Sequence, residues 1–236
     1  MARSRQATDA RRTHAAGRAD SADGPRRLLR DANRAIKRAT DIVLGTVGLL
    51  VSLPLIAVAA LAIMARDPGP WWHVQVREGR GGRSFRMWKL RTMYRDADER
   101  LAVHLARDER ARHEWQNGFK LSHDPRVLPG IGTFLRRSSL DECPQFWNVI
   151  RGDMSIVGPR PLPSYHLAAC GPEFLERRRT VRPGMTGLWQ VRSRGRGDVR
   201  TLELVDTHYI ERWSVGLEVS ILAKTVAAVL KGRGAR

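Results

Sequence analysis

The chain has 236 residues and carries 42 Lys and Arg against 24 Asp and Glu, a net charge of +18. That length admits one sizeable domain with appendages, and that charge points to an anionic partner: nucleic acid, acidic lipid or a phosphorylated substrate. Two cysteines and seven histidines, none at metal-ligand spacing, argue against a disulfide framework and a protein-built zinc site and suit a reducing compartment.

The first forty residues hold eleven Lys and Arg against four Asp. Residues 1–25 read as a disordered basic arm. From Arg26 to Arg38 the stretch "RRLLRDANRAIKR" sets Leu28, Leu29, Ala32, Ala35 and Ile36 along one helical face with arginines opposite. A helix lying beside a membrane and a solvated charged helix both fit. Ile42 to Met64 then contains no charge in 23 positions, a length of about 35 Å as helix and enough to cross a bilayer core. A signal peptide fits poorly, because about forty residues of basic sequence precede the run.

Pro54 sits at its midpoint, where it removes a backbone donor and bends a helix. Ser52 can take up a carbonyl that the bend frees. Basic residues flank both ends: Arg34, Lys37 and Arg38 before, Arg66, Arg77, Arg80, Arg83 and Arg86 after. Both flanks then belong on the cytoplasmic side, which favours a re-entrant helix over a spanning one.

His73–Met93 reads as a β-hairpin turning at the glycines of Gly79–Gly82, whose spacing matches no phosphate-binding loop. Arg95 to Asn117 is charge-dense and suggests one exposed helix ending at Gly118. Ser139 to Pro161, "SLDECPQFWNVIRGDMSIVGPRP", places Asp141 and Glu142 side by side before a short helix built on Phe146, Trp147, Val149 and Ile150. Two readings of the pair stand. Ser139 and Glu142 have capping-box spacing, with Asp141 complementing the helix dipole. Alternatively, an aspartate among Arg136, Arg137 and Arg160 is a nucleophile or metal ligand. Adjacent carboxylates do not suit a glycosidase, whose pair must stand at least about 5 Å apart across a sugar. Further on, "VRPGMTGLWQVRSRGRG" reads as a turn, a strand and an arginine-bearing loop. Val215, Val219, Leu222, Val226 and Val229 share a helical face whose default role is core packing, with a membrane surface as the alternative.

Three stretches carry a resemblance. "KLRTM" (Lys89–Met93), "DPRVLPGIGTFLRRSSLDECPQFWNVIRGDMSIVGPRPLP" (Asp124–Pro163) and "RPGMTGLWQV" (Arg182–Val191) resemble the bacterial sugar transferases. These are monotopic polyprenyl-phosphate phosphoglycosyl transferases, and the likeness is to their small catalytic-domain-only type. The resemblance implies a mixed α/β, mostly helical fold: a small cytoplasmic catalytic domain with a short β-hairpin over 67–236. A helix–break–helix membrane segment over 26–66, broken at Ser52 and Pro54, would anchor it to the inner membrane.

The implied reaction moves a sugar-1-phosphate from a UDP-sugar to a polyprenyl phosphate such as undecaprenyl phosphate and releases UMP, with Mg²⁺ as cofactor. By position Asp141 would be the nucleophile, and Glu142 would hold Mg²⁺ with it or activate the acceptor. Arg136, Arg160 and Arg194 would meet phosphates, and Lys89, Arg182 and Asp206 are further site positions. Anionic lipid is an expected partner, a homodimer is compatible, and no specific nucleic acid is expected. An inactive scaffold of the same fold and a membrane-tethered binder of anionic polymers are the alternatives. Cys143 stands where many relatives have leucine, and "QVRSRGRGD" departs from their usual loop.

Overall fold

In the computed structural model the backbone is described for residues 3–118, 121–193 and 198–230, and side chains for 31–116, 121–164, 166–192 and 198–229. Helix α1 (Arg3–Arg66) is followed by the strands β1 (Trp72–Glu78) and β2 (Ser84–Leu90) and the helices α2 (Ala97–Arg107), α3 (Glu109–Gly118) and α4 (Ile131–Ser138). Then come α5 (Gln145–Arg151), β3 (Ser155–Val157), α6 (Ser164–Ala168), α7 (Pro172–Arg179) and β4 (Gly184–Thr186). The helices α8 (Leu188–Ser193), α9 (Val199–Glu211) and α10 (Val215–Leu230) complete the described chain. Among the described residues the fold is mostly helical, as the resemblance implied, with two small two-stranded sheets, of which the sequence suggested the hairpin and not the parallel pair. Two compact units divide inside α1, at Val43 and Leu44.

The first unit is helical. Lys37 and Asp41 pair one turn apart at 3.9 Å, as do Arg34 and Asp31 at 3.5 Å. The expected basic arm of residues 1–25 lies outside the residues whose side chains are described.

In the second unit, Leu44 to Arg66 presents two unlike faces. Ser52, Ile56, Ala59, Ala60 and Ile63 are buried, while Leu44, Val47, Leu50, Val51, Leu53, Leu55, Val58 and Leu61 are exposed. The buried stripe joins Leu90, Leu128 and Leu135 in one apolar cluster. Burying each such Ile or Leu contributes about 1.5–3 kcal/mol. Glycines let the helix approach α5 closely: a Cβ on Gly48 would stand 2.6 Å from the Phe146 ring, and one on Gly45 3.1 Å from Val149. The expected break at Pro54 is absent from this element, which continues as one helix. Ser52 Oγ donates to the Leu49 carbonyl at 3.0 Å, one position before the Leu50 carbonyl that Pro54 leaves without its helical donor. This helix is long and apolar enough to cross a membrane by length and composition.

Strands β1 and β2 pair antiparallel from Trp72 opposite Leu90 to Glu78 opposite Ser84. Gly81 and Gly82 carry φ of +69° and +73° in the turn between them, the left-handed conformation that favours glycine. Phe85 and Met87 point into the main core with Val149, Met154, Ile156, Val157, Leu188, Tyr209 and Ile221.

The sequence suggested one helix over 95–117, and the structure has two. The Asp108 carboxylate accepts from the amides of Arg110 and Ala111, at 2.9 and 3.1 Å, and so starts α3 afresh. The strand expected after the second glycine-rich turn is only three residues long and passes into α8. β3 and β4 run parallel with backbones in contact: a Cβ on Gly184 would lie 2.1 Å from the Gly158 nitrogen. That contact explains why "VGPRP" and "RPGMTG" are both glycine-bearing. The valine face of α10 reverses the expectation of core packing. Val215, Val219, Val226 and Val229 are exposed. Leu222, the remaining member of that face, packs with Leu217 against the main core beside buried Ile221. The inward side also carries polar groups: Glu218 accepts from the Tyr209 hydroxyl at 2.8 Å and the Trp213 indole at 2.7 Å. Thr225 meets Thr186, oxygen to oxygen, at 2.7 Å.

Gly184→Ala should lower stability by roughly 3 kcal/mol or more, because the obstructing atoms are backbone and cannot rotate away. Gly216→Ala, where nothing lies within 4 Å of the new methyl, should stay within about 1 kcal/mol of the parent and on the stabilising side. Thermal unfolding of the two variants distinguishes them, and equal melting temperatures would refute the close-contact account.

Candidate active site

The Asp141–Glu142 pair lies in a single 3-10 turn, Leu140–Glu142, between α4 and α5. Ser139 begins that turn with φ +59°, the one described non-glycine residue in the left-handed region. Its side chain makes no capping hydrogen bond, so the capping box allowed by the spacing does not form. Ser139 instead ends α4, its amide reaching the Arg136 carbonyl at 3.2 Å. The two carboxylates are therefore free of that helix-capping role.

Elements distant in sequence converge on Glu142. Lys89 Nζ, from the end of β2, donates to Glu142 Oε1 at 2.9 Å. Arg160 Nη2, from the loop after β3, reaches the same oxygen at 3.2 Å. Burial alone would raise the Glu142 carboxyl, but Arg160 and Lys89 together pull it down to about 2. Asp141 has the opposite fate. Among the described residues it makes no hydrogen bond and no ion pair. Burial, and then the neighbouring Glu142 charge, push its carboxyl up to about 6 against the more distant Lys89, Arg136 and Arg160. Two adjacent carboxylates thus differ by roughly four pKa units through their surroundings alone.

Arg136, on the last turn of α4, donates through Nε to Thr92 Oγ1 at 2.9 Å. Burial lowers its pKa while Asp124 and Asp141 oppose the shift. Its Nη atoms make no hydrogen bond among the described residues and remain available to an anion. Cys143 packs against the apolar cluster that contains Ile56, Ala59 and Ile63. Burial first, with Asp141 adding, pushes its thiol up to about 11, and Ser52 hydrogen-bonds it from α1. It is a packing residue and not a nucleophile at neutral pH.

Other expected site positions lie further out. Asp206 is fully buried on α9 and pairs with Arg178 Nη1 at 2.8 Å. Burial pushes its carboxyl up to about 6 despite that guanidinium. Arg178 also donates through Nη2 to the Arg160 carbonyl. Asp206 therefore acts on the site through Arg178 and the Arg160 backbone. Arg182 Nε donates to the Gly152 carbonyl at 2.9 Å, holding the end of α5. Arg194 lies outside the described residues.

Asn148 escaped the sequence reading. It is fully buried, its Oδ1 accepts from the Trp88 amide at 3.1 Å, and its Nδ2 donates to the Arg86 carbonyl at 2.7 Å. An amide side chain thereby pairs with β2 as a neighbouring strand would, fixing α5 against the strand that carries Lys89. A lone Asn within "FWNVI" was the available signal, since a buried amide must find partners. Arg178 was missed for lack of any local pattern, and Thr92, although inside the "KLRTM" stretch, was given no role.

No cluster of three or more His, Cys, Asp or Glu suited to a metal occurs among the described residues. Asp141 and Glu142 nevertheless fit a Mg²⁺ ion shared with substrate, because such ions are commonly held by one or two carboxylates plus phosphate oxygens. The unpaired, half-buried Asp141 has no direct counter-ion to displace.

The family model for "Bacterial sugar transferase" matches residues 32–232. The undecaprenyl-phosphate galactose phosphotransferase of Salmonella typhimurium is 39% identical over 208 residues, covering 88% of this chain and 43% of the relative. The exopolysaccharide production protein ExoY of Sinorhizobium fredii is 38% identical over 200 residues, 84% of this chain and 87% of ExoY. The UDP-glucose:undecaprenyl-phosphate glucose-1-phosphate transferase of Escherichia coli is 37% identical over 210 residues, 84% of this chain and 41% of that protein. The chain belongs to the bacterial sugar transferase family. It spans less than half the length of several of these relatives and most of ExoY.

The Asp141 shift has a measurable consequence. Its folded carboxyl titrates near 6 instead of 3.8, so above pH 6 the folded state alone bears a buried charge. Asp141→Asn should therefore stabilise the protein at pH 7.5, by at most roughly 3 kcal/mol. The advantage should shrink as pH falls through 6 and vanish below about 4, where both folded and unfolded carboxyls are protonated. Melting curves of the two proteins across pH test this, and a constant difference would overturn it.

Proposed function

We propose that this protein transfers a sugar-1-phosphate from a UDP-sugar to a polyprenyl phosphate, with Asp141 as nucleophile. The observation that carries the reading is the division between the two carboxylates: Glu142 is held ionised by Lys89 and Arg160 while Asp141 is left unpaired. Above pH 6 the Asp141 carboxylate has lone pairs that no hydrogen bond or ion pair within the protein occupies, which leaves them for a phosphorus atom and a metal ion.

An Asp141 oxygen would attack the phosphorus bearing the sugar as the bond to UMP breaks, UMP leaving with the electron pair. An oxygen of polyprenyl phosphate would then attack the phosphosugar-aspartyl group and release Asp141 as carboxylate. Positioning and neutralisation of charge dominate such transfers. Arg136, with its Nη atoms free, and Arg160 would clamp phosphate oxygens. Asp141 and Glu142 would hold Mg²⁺, which when bound supplies charge neutralisation to the diphosphate. Asp206 and Arg178 would hold Arg160 in place from behind.

An acceptor with a long isoprenoid tail requires chemistry at a lipid surface. The exposed apolar face of α1 supports membrane attachment there, and its buried face lies against the apolar cluster next to the catalytic turn. We read residues 26–66 as the membrane segment, entering and leaving on the cytoplasmic side although α1 runs through Pro54 as one helix, with 67–236 as the catalytic domain. The basic flanks and the packing of residues 45–63 on the soluble part support this over a crossing helix. The excess positive charge would hold the protein against anionic lipid at the cytoplasmic face of the inner membrane. We place the reaction at the first membrane step of exopolysaccharide or other glycoconjugate synthesis; the exopolysaccharide production named for ExoY supports the first of these.

Purified protein with undecaprenyl phosphate and Mg²⁺ should release UMP from one member of a panel of UDP-sugars, and Asp141→Asn should release none. The rate should rise with pH through about 6 as Asp141 ionises, and substantial turnover by the variant would exclude Asp141 as nucleophile. Pro54 lacks the amide that would bond the Leu50 carbonyl, so Pro54→Ala, which restores that bond, should favour a crossing helix. A cysteine placed in residues 1–25 should then react with an impermeant reagent outside the cell in the variant only; identical labelling of both proteins would contradict the re-entrant reading.

A further inference from the structure

Helix α1 ends at Arg66, and the Asp67 amide closes it by donating a hydrogen bond to the Ile63 carbonyl at 2.9 Å. Three donors converge on Asp67. Arg91 Nη1 donates to its Oδ2 and Arg91 Nη2 to its backbone carbonyl, while the Arg95 amide reaches Oδ2 at 3.2 Å. Arg91 is buried, 7% exposed, and its own amide donates to the Trp71 carbonyl at 2.8 Å. A planar guanidinium bonded through two nitrogens fixes both distance and direction. The apolar stripe of Ile56, Ala59 and Ile63 holds α1 against the domain but does not by itself prevent sliding along it.

The residues on either side of Arg91 are those that build the site. Lys89, two positions earlier, holds Glu142 at 2.9 Å. Thr92, one position later, accepts from Arg136 Nε at 2.9 Å, and its carbonyl accepts from the Leu128 amide that leads into α4. One buried guanidinium is thus the joint between the end of α1 and two cations of the reaction centre. The opposite face of the same helix exposes Leu50, Val51, Val58 and Leu61.

We propose that Asp67 is a positioning residue, which through Arg91 locks the catalytic strand to α1 and so sets the height of the reaction centre above the lipid surface. This rests on the transferase reading and adds to it. An acceptor embedded in the bilayer presents its phosphate at a fixed depth and must meet a centre at the matching height. An acceptor dissolved in water approaches from any side and makes no such demand. Loss of the lock therefore separates the two acceptors, whereas a general loosening of the fold would not.

The test compares full-length wild type and Asp67→Asn in phospholipid nanodiscs, with undecaprenyl phosphate in the bilayer or with a short, water-soluble prenyl phosphate. For the variant, kcat/KM with the bilayer acceptor should fall about tenfold while the value with the soluble acceptor stays within about twofold. Equal losses on both acceptors, or no loss on either, would overturn the proposal. If Asp67→Asn does not fold, Arg91→Lys gives the same comparison, since it keeps a charge beside the carboxylate but lacks the fork. Wild type silent on both acceptors would refute the transferase reading itself, and the positioning role with it.

Discussion

Glu142 is a carboxylate shared by two cations that arrive from unrelated parts of the chain, Lys89 at 2.9 Å and Arg160 at 3.2 Å. Everything at the candidate site follows from that one sharing. Because Glu142 takes up the nearest positive charge, Asp141 beside it has none in direct contact, and Lys89, Arg136 and Arg160 offset its burial only from a distance. Carboxylates one residue apart would otherwise be chemically alike. The fold makes them different by choosing which of the two meets the lysine and the arginine.

Bringing those cations together explains much of the remaining architecture. Lys89 must project from a strand fixed against α5, and the Asn148 amide supplies that fixing. Arg160 must leave β3 at a set angle. The glycine contact between Gly158 and Gly184, and the bond from Arg178 to the Arg160 carbonyl, both act on that short loop. The buried Asp206–Arg178 pair is expensive to desolvate, and on its own would be weak evidence of stabilisation. Its value lies in direction, since it holds a guanidinium against the backbone of a residue that touches Glu142.

The sequence made much of this legible, unevenly. The uncharged run, the hairpin with its glycine turn, the short helix after Pro144 and the acidic pair were all visible as local patterns. What stayed hidden depended on long-range packing. The spacing from Ser139 to Glu142 fits a capping box, yet Ser139 takes a left-handed conformation to end α4 and its side chain never reaches the cap. The α10 valines look like a core face because periodicity reports which residues share a side, not which side the protein covers. There the covered side holds Ile221 and, beside it, Glu218 and Thr225, whose partners Tyr209, Trp213 and Thr186 lie outside α10. Asp108 divides the helix expected over 95–117 by a capping bond that hydrophobic spacing does not register. Asp206 was singled out by resemblance, but its route to the site runs through Arg178, which no short motif announces.

The Asn148 side chain has a further effect. A two-stranded sheet ordinarily exposes the unpaired donors and acceptors of both outer strands, and such edges invite another extended chain to join. Along β2 the Trp88 amide and the Arg86 carbonyl are taken by Asn148. One amide from a helix thus closes that edge of the hairpin to intermolecular strand addition. The same residue that aligns the strand carrying Lys89 also occupies the groups through which an added strand would have to pair at its centre.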